Sequence, residues 1–233
     1  MYSFYKDVIE YKGNLLVRGI HEGEEFKEKV NFRPTLYAIT QNKTNHKTLQ
    51  GQYLKPITFD SIYKCRDFKR NYTNSSAPLY GNDRYHFQYI AKNYPSDVQF
   101  DKNLIKIFTL DIEVTAEKGF PDVENPIEEI LCLTIKNQSN KNIITWGTKP
   151  FFTKRPDVTY IECQSEKQLL MEFFKFWTKN YPDIITGWNT KFFDLPYLCN
   201  RIKYLVGDKV INKLSPWGLI EQEQITVRGR SQT

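Results

Sequence analysis

Ile105-Lys106-Ile107-Phe108-Thr109-Leu110-Asp111-Ile112-Glu113 is an apolar run that ends in two carboxylates one residue apart. Side chains two apart on a strand point to the same face, so Asp111 and Glu113 stand side by side where the run meets solvent. Like charges that close repel, and one pKa rises unless a cation sits between them. An oxygen-only donor set suits magnesium or manganese better than zinc. A bare Asp-x-Glu also arises wherever a strand leaves a core and its charges reach water. Context separates the two readings: the pair closes a predicted strand over 104–114, and ligands gather at the ends of central strands in α/β sheets.

Downstream, the pattern turns to strands and helices. Residues 129–136 and 142–147 read as a hairpin, and with 104–114 they make three successive strands, which implies an antiparallel edge. A short strand follows at 159–163. Ser165-Glu166-Lys167-Gln168 is a capping-box pattern, and Leu169, Leu170, Phe173, Phe174 and Trp177 recur at helical spacing, so a helix is expected over 166–179. Pro182 ends it, and Ile184-Ile185-Thr186-Gly187 reads as a buried strand. A second helix over 195–206 stops at Gly207. Asp194 precedes Leu195-Pro196 and is placed at or beside that helix's N-cap. Asn189, in the turn before it, either donates to a phosphate or bonds its own loop backbone.

Upstream, the rhythm is that of a meander. Residues 5–11, 14–20 and 26–32 read as strands around turns, 35–39 as an inner strand, 71–78 as a loop and 85–91 as a further strand. The change of pattern puts a domain boundary near 103, with a mostly β domain over 1–103 and an α/β domain over 104–233. Between Gln41 and Arg70 lie seven basic and two acidic residues, interleaved with Tyr53, Phe59, Tyr63 and Phe68. Such a mixture serves either as a base-stacking, phosphate-neutralising surface or as a solvated helix face whose aromatics pack inward.

Composition sets outer limits. The chain has 233 residues, 40% hydrophobic and 15% aromatic, which implies a folded protein rather than a disordered one. Its charge of +6, from 33 basic and 27 acidic residues, is a mild lean toward polyanions and weak support for nucleic acid. Cys65, Cys132, Cys163 and Cys199 are spaced like neither a zinc site nor a disulfide framework, so they read as reduced, mostly buried thiols. The start, Met1-Tyr2-Ser3-Phe4-Tyr5-Lys6-Asp7, lacks a signal-peptide pattern, and no membrane partner is expected. A cytoplasmic protein is expected.

The motifs together resemble the DnaQ-like proofreading domain of family B DNA polymerases, in particular the replicative type of T-even-like bacteriophages. The resemblance is carried by Phe108 through Thr115, by Gly119-Phe120-Pro121, by Thr186-Gly187-Trp188-Asn189 and by Phe193-Asp194-Leu195-Pro196-Tyr197. Asn200-Arg201-Ile202-Lys203 and Leu214-Ser215-Pro216 extend it, and Phe32-Arg33-Pro34-Thr35-Leu36-Tyr37 is similar to a stretch of the family's N-terminal domain. It implies an α/β (α+β), ribonuclease H-like exonuclease domain, incomplete at its C-terminal side, behind a mostly β domain. It also implies 3′ to 5′ removal of misincorporated nucleotides, with Asp111, Glu113 and Asp194 holding two divalent cations, Mg2+ or Mn2+. Asn189 and Phe120 would touch the substrate, Phe120 by stacking on a frayed 3′ end or, more plainly, as a loop anchor beside Pro121.

The family completes its site with a Tyr-x-x-x-Asp helix. Tyr204-Leu205-Val206-Gly207-Asp208 has that spacing, but it ends the helix that begins beside Asp194 and reads as a chance match. The third part of the site and the polymerase domains are therefore expected from a C-terminal partner chain or remainder. Expected partners are DNA, as a single-stranded 3′ end or a primer-template, and replisome proteins, in the cytoplasm of an infected bacterium. The tail reads as a strand start at 224–227. The rival reading is a nucleic-acid-binding module in which the acidic residues are structural and no nuclease activity exists.

Overall fold

The computed structural model describes residues 2–72, 77–117 and 119–221, together with the backbone of 225–227 and 230–232. Two units divide the chain, Met1–Lys102 and Asn103–Thr233. Of the loop predicted over 71–78, residues 73–76 lie outside the described residues, and residues 71 and 72 belong to a helix.

In the first unit, β1 (Phe4–Tyr11), β2 (Asn14–His21) and β3 (Glu24–Val30) form an antiparallel meander. A second sheet holds β4 (Thr35–Ile39), β5 (His46–Lys47), β6 (Tyr53–Thr58) and β7 (Leu79–Tyr80) in the order β5-β6-β4-β7. Two helices join them, α1 (Ile62–Tyr72) and α2 (Tyr85–Asn93). The strand predicted at 85–91 is thus a helix. Its aromatic content suggested β structure, but Tyr85 and Tyr89 are one helical turn apart and both pack on the core of Val8, Leu15, Val17, Leu36 and Ile62.

In the basic stretch over 41–70, two of the four aromatics pack inward as the plainer reading expects, whereas Tyr63 is exposed. Phe59 is buried, and Phe68 packs against the same core with its ring 5.1 Å from that of Phe59. Each cation of α1 has an acidic neighbour: Lys64 with Asp60, Arg66 with Glu10, Lys69 with Asp83 and Arg70 with Asp67. These exposed pairs stabilise little.

The second unit is built on a five-stranded sheet, ordered β11-β10-β9-β8-β12. Its members are β8 (Ile107–Val114), β9 (Ile130–Asn137), β10 (Ile143–Gly147), β11 (Val158–Glu162) and β12 (Ile184–Thr186). β9 runs antiparallel to β8 and β10, whereas β11 follows β10 and β12 follows β8 in parallel. The three successive strands therefore form the middle of the sheet rather than an edge. β12, expected to be buried, is the edge strand, and Ile184 is exposed.

Alternation along β8 decides what each face does. Phe108, Leu110 and Ile112 point into the core, while Asp111 and Glu113 are exposed on the opposite face. The helices α3 (Glu166–Lys179) and α4 (Asp194–Val206) cover the core face through Leu169, Leu170, Phe173 and Trp177 and through Tyr197, Leu198 and Ile202. Each such side chain contributes about 1.5–3 kcal/mol on full burial. Ser165 caps α3 by accepting from the Gln168 amide at 3.3 Å, and the Gln168 side chain reaches back to the Gln164 amide at 2.8 Å. α4 ends at Gly207, whose φ of 102° an L side chain rarely adopts. A short helix, α5 (Asp208–Ile211), follows, and β13 (Ile225–Val227) pairs antiparallel with β14 (Arg230–Gln232). The strand start predicted at 224–227 is thus β13, with residue 224 outside the described residues. Among the described residues no helix is long and apolar enough to cross a membrane.

Candidate active site

β12 is only three residues long, so its pairing with β8 stops at Thr109. Beyond that point the edge of β8 still carries the Leu110 carbonyl and the Ile112 amide, and buried backbone groups require partners. The segment after β12 supplies both. The Thr190 hydroxyl donates to the Leu110 carbonyl at 3.4 Å, and Asp194 Oδ1 accepts from the Ile112 amide at 3.0 Å. Two side chains four residues apart thus extend the ladder where the backbone strand has ended.

This edge contact requires a close approach at Gly187. A Cβ there would stand 2.0 Å from Thr190 Oγ1 and 2.6 Å from the Leu110 carbonyl oxygen. Asn189 follows with φ of 55°, a left-handed conformation that asparagine tolerates better than most residues. Its backbone carbonyl accepts from the amides of Phe192 and Phe193 at 2.9 and 3.0 Å, which closes the turn into α4. Asp194 begins that helix directly after its N-cap, Phe193, as expected from sequence, but a capping role does not account for the partner of its carboxylate. Its carboxylate serves β8 instead.

Asp194 is consequently buried, at 4% exposure, beside the residue that separates Asp111 from Glu113. Burial pushes its carboxyl above the ordinary carboxylate range; the Ile112 amide opposes that shift, and the charges of Asp111 and Glu113 add to it. The three predicted acidic residues are thus within electrostatic reach of one another. Among the described residues, however, no three His, Cys, Asp or Glu side chains gather tightly enough to hold an ion as they stand. The donor set fits a hard divalent cation in its chemistry: all oxygen, two exposed carboxylates on one strand face, and a third that commits Oδ1 to Ile112. Cys132, opposite Glu113 on β9, has its thiol pushed up by burial, with Glu113 and Asp111 adding to the shift, and a neutral thiol is a poor competitor for such an ion.

The remaining predicted residues surround this point. Phe120 is 85% exposed, on the loop between β8 and β9, with its ring 5.4 Å from that of Phe193, the neighbour of Asp194. Trp188 is 93% exposed on the turn that holds Asn189. Asp208 sits past the far end of α4; thirteen residues of helix separate it from the site by about 20 Å. Thr190 was not foreseen from sequence. The signal for it was the shortness of the strand at 184–186, which obliges something to satisfy the β8 edge.

Comparison with known proteins places the chain in a family. Residues 53–233 match the family described as DNA polymerase family B, exonuclease domain. The DNA-directed DNA polymerase of Enterobacteria phage T4 is 26% identical over 97% of this chain, and that of Escherichia phage RB69 is 27% identical over 93%. The DNA polymerase delta catalytic subunit of Candida albicans is 35% identical over 43% of the chain. The chain spans 28% and 27% of the lengths of the two phage relatives, and 10% of the third. The mixed α/β unit and the β-rich region before it are those of a chain that belongs to the exonuclease-domain family of the family B DNA polymerases.

Proposed function

We propose that this chain carries most of a two-metal 3′ to 5′ proofreading exonuclease site, acting on the single-stranded 3′ end of DNA. The observation that carries the proposal is the docking of Asp194 on the Ile112 amide, between Asp111 and Glu113. The three carboxylates would hold two ions, Mg2+ or Mn2+. Bound there, such ions make a strong nucleophile available at neutral pH and stabilise the leaving 3′ oxygen in an in-line displacement.

The chain's own residues do the rest. Asp111 and Glu113 present their oxygens on the open face of β8, and Asp194 closes the site from the sheet edge. Phe120 and Trp188 offer exposed aromatic faces on which bases stack. Asn189 stands between Trp188 and the turn into α4, within the same segment. A further carboxylate and the machinery for DNA synthesis come from the remainder of a longer polymerase or from a partner chain, since the chain spans little more than a quarter of its phage relatives.

The test is trimming of a labelled single-stranded oligonucleotide with Mg2+ or Mn2+, by the chain alone and with a C-terminal polymerase segment added. Trimming that appears on addition and disappears in Asp111→Ala with Glu113→Ala, while DNA binding persists, supports the proposal. Metal-dependent trimming that survives those substitutions overturns it.

A further inference from the structure

Resting on that reading, we propose that Arg201, paired with Glu166, is a positioning residue of the nuclease site: it sets where the loop between β8 and β9 holds Phe120 against the start of α4. The pair is buried, at 4% and 7% exposure. Arg201 Nε and Nη2 donate to the two Glu166 oxygens at 2.8 and 2.6 Å, and Nη1 donates to the carbonyls of Pro126 and Ile127, both at 2.9 Å. Glu166 Oε1 also accepts from the Ile130 amide at 2.8 Å, at the start of β9. One planar guanidinium thereby ties α3, α4 and the returning limb of the loop together.

Two neighbours on the same face of α4 act on that limb. Tyr197 donates to the Glu128 carbonyl at 2.7 Å, and Asn200 to the Val123 carbonyl at 2.9 Å. Residues 197, 200 and 201 are three and four apart, so they form one stripe along the helix. The base of the loop is closed separately, by Thr115 and Glu129, whose backbones bond at 2.9 Å. Its far limb carries Phe120 onto Phe193, and the Phe193 ring lies 5.6 Å from that of Tyr197. The helix that begins with Asp194 therefore also holds the loop that bears Phe120.

Stability alone is a poor reason for this arrangement, because well-packed apolar residues of similar volume replace a buried ion pair at little or no cost. What apolar residues cannot supply is a rigid fork whose donors reach two loop carbonyls while two others are held by Glu166. Lysine keeps the charge but not the fork.

The experiment compares Arg201→Lys with wild type in the full chain, by hydrogen exchange and then by nuclease kinetics with the C-terminal segment added. Exchange in residues 119–129 should accelerate about tenfold while the core of α3 and α4 stays protected. For a single-stranded oligonucleotide KM should rise about tenfold with kcat nearly unchanged, as for a lost binding contact, and the effect should vanish in a Phe120→Ala background. Unchanged exchange in the loop, or an effect that adds fully to Phe120→Ala, overturns the proposal. If Arg201→Lys does not fold, Glu166→Gln with Arg201→Met removes the loop donors without stranding a charge, and the same readings apply. Exchange requires no catalysis, so an inactive wild type would count against the nuclease reading while the loop result still decides the role of Arg201.

Discussion

Replacing Gly187 with alanine tests the edge contact from which the site is built. The new Cβ would lie 2.6 Å from the Leu110 carbonyl oxygen and 2.0 Å from Thr190 Oγ1. Thr190 can rotate its hydroxyl away, at the loss of a hydrogen bond contributing about 0.5–1.5 kcal/mol. The Leu110 carbonyl belongs to a central strand and cannot retreat, so the turn itself must move outward by several tenths of an ångström. Overpacking of this kind costs about 1–3 kcal/mol, and the reduced freedom of the unfolded chain returns about 0.4–1 kcal/mol. The net loss is about 1–3 kcal/mol, or roughly 3–12 °C in Tm for a unit of this size. Asp194 hangs on the same turn, so exchange of the Ile112 amide should accelerate beyond what global destabilisation explains. Adding Thr190→Ala should recover only part of the loss, because the clash with Leu110 remains. A Tm within about 1 °C of wild type, with the Ile112 amide equally protected, would refute the reasoning.

Other outcomes follow from the same geometry. Arg201→Met alone strands the buried Glu166 carboxylate and should cost about 3–5 kcal/mol in chemical denaturation, whereas Glu166→Gln with Arg201→Met should cost much less. Asp194 holds its proton more tightly folded than unfolded, so its charge destabilises the ion-free fold as pH rises from its ordinary value of 3.8 through the raised one. Asp194→Asn should therefore match wild type in Tm in acid and exceed it increasingly across that window, and a Tm scan against pH in chelator reads this directly. Burial holds all four thiols above their ordinary range, with Cys199 pushed up to about 11. Alkylation of the native chain at pH 8 should be slow at every cysteine and complete in denaturant, as mass spectrometry would show.

What was legible in the sequence follows from how locally each feature is determined. The helix over Glu166–Lys179 was readable to the residue because its cap, its apolar spacing and its terminating Pro182 are all local signals. Asp111 and Glu113 were readable because alternation along β8 separates them from Phe108, Leu110 and Ile112. The α2 helix was misread because Tyr, Phe and His favour either structure, and only the core contacts of Tyr85 and Tyr89 decide between them. The role of Asp194 was half legible. Its place at the start of a helix was local, but its bond to Ile112 spans 82 positions and depends on β12 stopping early. The Arg201–Glu166 pair was illegible for the same reason: nothing near either residue indicates that both are buried.

The most direct test of the account is a Mn2+ titration of the full chain, followed by paramagnetic broadening of backbone amide signals. Broadening centred on residues 110–114 and 190–195, and abolished by Asp111→Asn with Glu113→Gln, is the result expected. Broadening centred elsewhere, or undiminished by that double substitution, would contradict the shared-cation site.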